Sequence, residues 1–100
     1  MTPEGKIKKK VTELLRNHGI WYFFPGNNGF GKSGIPDIIA IVGGRFVGIE
    51  CKADPTKKPT ELQKWCGEEI KEAGGLWFLI RSVEDLREVE ECLLLRVLEH

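Results

Sequence analysis

Two glycines, Gly43 and Gly44, separate the apolar run DIIAIV from the run RFVGIECK. A Gly-Gly pair between two strand-like segments signals a two-residue β-hairpin, because the favoured turns need positive φ at the central positions. With such a turn the numbers of opposed residues sum to 87, so Val42 faces Arg45, Ala40 faces Val47 and Asp37 faces Glu50. A three-residue loop would instead set Asp37 opposite Cys51. In the two-residue register a pair of carboxylates lies directly across the ladder, where like charges are destabilising. Lys52 shares their face by the period-two rule, while Ile49 and Cys51 point to the other side.

Two opposed carboxylates call for a cation. The oxygen ligands are hard and no histidine or cysteine shares the face, so Mg²⁺ or Mn²⁺ suits them better than Zn²⁺. Magnesium held by one or two carboxylates keeps several waters and commonly acts on phosphates. Such an ion polarises a phosphoryl oxygen and makes bound water a better nucleophile. Lys52 beside the pair could stabilise charge in the transition state or orient the attacking water. The alternative is structural: a surface aspartate and a Glu–Lys pair at the rim of a sheet.

The remaining chain supplies a small α/β domain. Thr2-Pro3-Glu4 opens a helix with an N-cap and a proline at its first position. Ile7, Val11, Leu14 and Leu15 continue it at helical spacing until Asn17-His18-Gly19. IWYFF then reads as a strand stopped by Pro25, and after the hairpin Thr60-x-x-Gln63 caps a helix that runs to about Ala73. LWFLI is a further strand, and Ser82 caps a last helix carrying Leu86, Val89, Leu93 and Leu94. The order αβββαβα predicts a small mixed central sheet flanked by helices. In this reading the contiguous aromatics Trp21, Tyr22, Phe23 and Phe24 are half core and half covered by a helix or a second subunit. Trp65 and Trp77 are assigned to the core or an interface, and His18 to helix capping.

At 100 residues, 41% of them hydrophobic and 30% charged, the chain has room for one modest core. No apolar stretch approaches the roughly 20 residues of a membrane span, so no membrane partner is expected. Three cysteines without CxxC spacing, Cys51, Cys66 and Cys92, read as reduced thiols of a cytoplasmic protein in a bacterium or a phage-infected host. Residues 1–97 read as the single domain, and Leu98-Glu99-His100 as the start of a purification-tag scar. The zero formal charge conceals a basic half, with 11 Lys/Arg against 6 Asp/Glu in residues 1–65, and an acidic remainder, with 4 against 9. The basic half fits a polyanionic partner, or else two solvated faces of opposite sign.

Ile35-Pro36-Asp37 followed after 12 intervening residues by Glu50-Cys51-Lys52 resembles the PD-(D/E)xK nuclease signature. More closely, GKSGIPDIIAIV, GIECK, TELQKW and LIRSVEDL resemble the VRR-NUC family of virus-type replication-repair nucleases, over nearly the whole chain. The resemblance implies a restriction-endonuclease-like fold and metal-dependent hydrolysis of DNA phosphodiesters. It implies metal ligands at Asp37, Glu50 and the main-chain carbonyl of Cys51, with Lys52 as the catalytic lysine. Gln63 corresponds to the family's helix glutamine near the site and Glu4 to its acidic residue on the first helix. Each also has a plain structural role open to it, Gln63 in the capping box and Glu4 at a helix N-terminus. Stand-alone members resemble Holliday-junction resolvases, so a homodimer on branched DNA is expected. The rival is a non-catalytic module that binds branched nucleic acid.

A competing pattern is rejected. Gly26 to Ser33 satisfies GxxxxGK[ST], but Gly34 and Pro36 follow where a phosphate-binding loop needs a helix to begin. No nucleotide cofactor is therefore expected. Asn27, Asn28, Lys32 and Ser33 are read instead as DNA-contacting donors on a glycine-rich loop, or as a plain connector. Lys57 and Lys58 are read as further contacts to the DNA backbone.

Overall fold

The computed structural model describes residues 1–26 and 32–98. Helix α1 (Pro3–Asn17) is followed by strands β1 (Trp21–Phe23), β2 (Ile38–Val42) and β3 (Arg45–Cys51), helix α2 (Glu61–Glu72), strand β4 (Leu76–Ile80) and helix α3 (Val83–Leu98). The sheet order is β1-β2-β3-β4, antiparallel through the first three strands and parallel between β3 and β4. A parallel neighbour requires a crossover, and α2 provides it. The αβββαβα order and mixed sheet are those expected from the sequence.

The hairpin forms in the two-residue register. Val42 pairs with Arg45, Ala40 with Val47 and Ile38 with Ile49, and Gly43 and Gly44 take φ of 57° and 77°. Both are left-handed values that side chains resist, so the glycine pair sets the register of everything that follows.

Alternation then sorts the sheet into two faces. Ile38, Ala40, Val42, Val47, Ile49, Cys51 and Ile80 join Val11 and Leu15 of α1 and Val89 and Leu93 of α3 in one core. Leu15, Ile38, Ile49, Ile80 and Leu93 are fully buried, each worth about 1.5–3 kcal/mol of transfer free energy. The opposite face carries Phe46, Gly48 and Glu50 from β3, and α2 packs there, with Gly67 against the Trp77 ring and Ile70 against Gly48.

The helix ends behave as their sequences predict. Thr2 Oγ1 accepts from Gly5 N–H at 3.0 Å, and His18 terminates α1 as its C-cap. The His18 ring also meets Glu90 of α3 at 2.9 Å, tying the two core-side helices together. Ser82 Oγ accepts from Asp85 N–H at 3.1 Å at the start of α3.

Two expectations are met only in part. Of the four contiguous aromatics only Tyr22 packs on the core; Trp21, Phe23 and Phe24 are exposed. The three-residue β1 is an edge strand that α1 meets on the core face, while α2 packs over β3 and β4 on the other face, so no helix among the described residues covers Trp21 and Phe23. Trp65, expected in the core or an interface, is outside the core, 66% exposed on the outer face of α2. Trp77 is half-buried beneath that helix, as expected. Leu94 is also partly exposed on α3.

Candidate functional site

β3 carries its apolar residues into the core and delivers Glu50 to the α2 side, one residue before the strand ends. The Glu50 side chain is 1% exposed, although it is a carboxylate. One of its oxygens, Oε1, accepts from Gln63 Nε2 at 3.0 Å. The other, Oε2, is buried with no hydrogen-bond partner. An orphaned carboxylate oxygen is costly to bury, and a proton or a cation must satisfy it. Burial first, and then the Asp37 carboxylate beside it, push the Glu50 carboxyl up to about 8, while Lys52 pulls it back down.

Asp37 stands immediately before β2, where the hairpin register carries it to the end of β3. Its Oδ2 accepts from Cys51 N–H at 2.8 Å. That bond fixes the carboxylate against the backbone of β3, and Lys52 N–H continues the ladder to the Ile80 carbonyl at 3.0 Å. The Cys51 thiol points into the core and is held up at about 12 by burial and by Asp37, so it stays protonated. All three cysteines are free thiols.

Gln63 reaches the site through its helix cap. Its Oε1 accepts from Thr60 N–H at 2.8 Å while Thr60 Oγ1 accepts from Gln63 N–H at 3.2 Å. With the amide oxygen committed to the capping box, the amide nitrogen is turned toward Glu50. The capping and site roles therefore coexist in one side chain.

Glu4 approaches from α1 and raises the Glu50 carboxyl weakly. Its Oε2 lies 3.6 Å from Lys8 Nζ, which also lies 3.5 Å from Asp37 Oδ1. Burial pulls the Lys8 ammonium down, but Asp37 and then Glu4 outweigh it and hold it above the ordinary lysine value. Lys8 went unnoticed in the sequence, where it is one of four lysines on α1; its spacing of four residues from Glu4 was the available signal.

Asp37, Glu50, Lys52 and Gln63 thus come together where β3 ends and α2 begins, with Glu4 and Lys8 joining from α1. Among the described residues no three His, Cys, Asp or Glu side chains converge as a ligand cluster. The donor set is two carboxylates, both hard oxygen ligands. It fits an octahedral cation that keeps several waters, and the orphaned Oε2 of Glu50 is the atom such an ion would satisfy.

A cleft of about 700 Å³ opens over this end of the sheet, lined by Lys8, Phe24, Lys32, Ser33, Asp37 and Gln63 among others. Asn27 and Asn28 lie outside the described residues. Lys32 pairs with Glu69 of α2 at 3.0 Å. From Lys32 the chain turns at Ser33-Gly34 and enters β2, so no helix starts there to bind phosphate as a nucleotide site would require. Lys57 and Lys58 are exposed. Arg81, which the sequence reading missed, shapes their loop: its Nη1 donates to the carbonyls of Pro55 and Lys57, both at 3.1 Å. Nothing in the spacing of Arg81 marks it for that task.

No family model matches the sequence, and no curated protein matches it. Solved structures do. One described as a VRR_NUC domain superposes with a TM-score of 0.81 and 26% identity, covering 91% of this chain and 97% of its own. Over nearly its whole length the chain is similar to a VRR-NUC domain. A second structure, described as a VRR_NUC domain protein, shares the fold at a TM-score of 0.73 and 19% identity, covering 96% of this chain and 90% of its own. The chain is accordingly a nuclease-fold domain of restriction-endonuclease-like architecture. No helix among the described residues is long and apolar enough to cross a membrane.

Proposed function

We propose that this VRR-NUC domain is a divalent-metal-dependent endodeoxyribonuclease that cuts branched DNA such as four-way junctions. The observation that carries the reading is Glu50, a fully buried carboxylate with an orphaned oxygen, held beside Asp37 and Gln63, which line the cleft. A purely structural glutamate would not be buried in this way without a partner for each oxygen. Asp37, Glu50 and the Cys51 carbonyl would hold Mg²⁺ or Mn²⁺. When bound, that ion supplies Lewis-acid polarisation of the scissile phosphate and activation of water. Gln63 fixes the rotamer of Glu50, and Cys51 N–H fixes that of Asp37, so both ligands are oriented in advance. Lys52 would place its ammonium against charge developing on the phosphate oxygens. Lys32, Ser33, Lys57 and Lys58 would contact the DNA backbone, which positions the duplex without reading its sequence.

Homodimerisation belongs to the same proposal. Trp21 pairs with Ile41, and Ile41 with Phe46, forming an exposed apolar row across β1, β2 and β3 that no helix among the described residues covers. A second protomer seated there would bury it, and a two-fold axis would present two sites to two strands.

Labelled four-way junctions and linear duplexes incubated with Mg²⁺ or Mn²⁺ test the reading. Junction cleavage should exceed duplex cleavage and fall by at least about 100-fold in Asp37→Ala and Lys52→Ala. Junction binding without cleavage by the unmutated protein would favour a non-catalytic binding module instead. Equal cutting of both substrates would remove the branched-DNA specificity.

A further inference from the structure

Lys8 belongs to neither the nuclease motif nor the core, yet it is the cation nearest the open side of Asp37. The Asp37 carboxylate divides its two oxygens. Oδ2 is committed to Cys51 N–H at 2.8 Å, which leaves Oδ1 as the oxygen available to a metal ion. Lys8 Nζ sits 3.5 Å from that same Oδ1 and 3.6 Å from Glu4 Oε2. Asp37 and Glu50 lie side by side at this end of the sheet, and Lys8 bridges Asp37 to Glu4 from α1 while Lys52 comes from the end of β3.

We propose that Lys8 is the built-in counter-cation of the metal site: it neutralises Asp37 and Glu4 in the metal-free protein and competes with a divalent ion for Asp37 Oδ1. This rests on the reading of Asp37 and Glu50 as metal ligands. The side chain has the freedom the role requires, since it is 35% exposed and lines the cleft. An ammonium on a flexible four-carbon stem can leave Asp37 without disturbing α1. On leaving it turns into the cleft, where a substrate phosphate would meet it. The positive charge that guards the empty site thereby becomes a contact for the anion that follows the metal.

Titration calorimetry with Mn²⁺ and no DNA reads this competition directly. Lys8→Met keeps the length and packing of the side chain and removes its charge. It should bind Mn²⁺ at least about tenfold tighter than the unmutated protein, because a like charge beside the ion is gone. In chelator the same variant should melt at a lower temperature than the unmutated protein. That loss should disappear when Asp37→Asn is already present, since the charge Lys8 neutralises is then absent. Lys8→Arg should stay near the unmutated protein in both measurements. Unchanged or weaker Mn²⁺ binding by Lys8→Met, with Asp37→Asn still abolishing binding, would overturn this inference alone. So would a melting penalty for Lys8→Met that persists in the Asp37→Asn background. If no form of the protein takes up Mn²⁺, the metal reading falls and the competition falls with it.

Discussion

Gln63 shows how one side chain can serve a helix and a site together. Its amide oxygen completes the capping box with Thr60 and its amide nitrogen holds Glu50. Thr60→Ala should cost about 1 kcal/mol, the value of a lost cap. Gln63→Ala should cost about 1–3 kcal/mol beyond that, because it also strips the bond from a buried oxygen. Urea denaturation of the two variants in chelator makes the comparison, and equal losses would reduce Gln63 to a cap. Glu50 itself predicts a pH dependence of the metal-free protein. Its carboxyl is raised from an ordinary 4.5 to about 8 in the folded chain, so the folded state holds a proton that the unfolded state releases. Its contribution to stability is complete below about 4.5 and is lost as pH rises through about 8. Relative to Glu50→Gln, the unmutated protein should lose up to about 1.4 kcal/mol per pH unit across that window. Parallel stability curves for the two proteins would contradict it. Asp37, Glu50 and Lys52 were legible because the hairpin register follows from two glycines and simple counting. The burial of Glu50 was not legible, because it depends on where α2 lands.

The elements around the site are held by close backbone approach. Gly34 adopts φ of 78°, and a Cβ there would stand 2.3 Å from the Leu62 carbonyl oxygen. The turn leading to Asp37 and the first turn of α2 are therefore pressed together at this one residue. Gly34→Ala combines a left-handed backbone penalty with a main-chain clash, and should destabilise the fold by at least about 2 kcal/mol. It should also move α2, and with it Gln63, away from Glu50. Chemical denaturation measures the first effect, and loss of the Glu50-dependent pH slope reports the second. The elements themselves were readable: Thr2-Pro3, Thr60-x-x-Gln63, Gly43-Gly44 and Ser82 each announce a boundary through local hydrogen bonding or backbone preference. The aromatic run was only partly readable for the opposite reason. Residue type says that Trp21 and Phe23 prefer burial, but only the sheet order shows that β1 is an edge whose Trp21 and Phe23 face no helix among the described residues covers.

Taken whole, the domain has one core face closed by α1 and α3 and a second face only half closed by α2. The uncovered half carries Trp21, Ile41 and Phe46 in register. Contiguous exposed apolar surface of this kind marks interaction sites, and the proposed homodimer uses it. Phe46→Lys, at a position that is 45% exposed in the single chain, should leave folding intact. It should shift sedimentation from dimer to monomer and weaken paired cleavage of a junction while sparing single nicks. An unmutated protein that sediments as a monomer would remove the dimer from the proposal.

Local chemistry by itself determines much of this molecule. Caps, turn glycines and alternating apolar residues act over a few residues, so the αβββαβα order, the hairpin register and the pairing of Asp37 with Glu50 could be read from spacing. What tertiary structure decided was which surfaces met. The seating of α2 buried Glu50 and turned Gln63 onto it, α1 delivered Lys8 to Asp37, and Arg81 reached back to shape the lysine loop. Those contacts join residues 13 to 29 positions apart. They depend on how faces pack together, which no local pattern encodes.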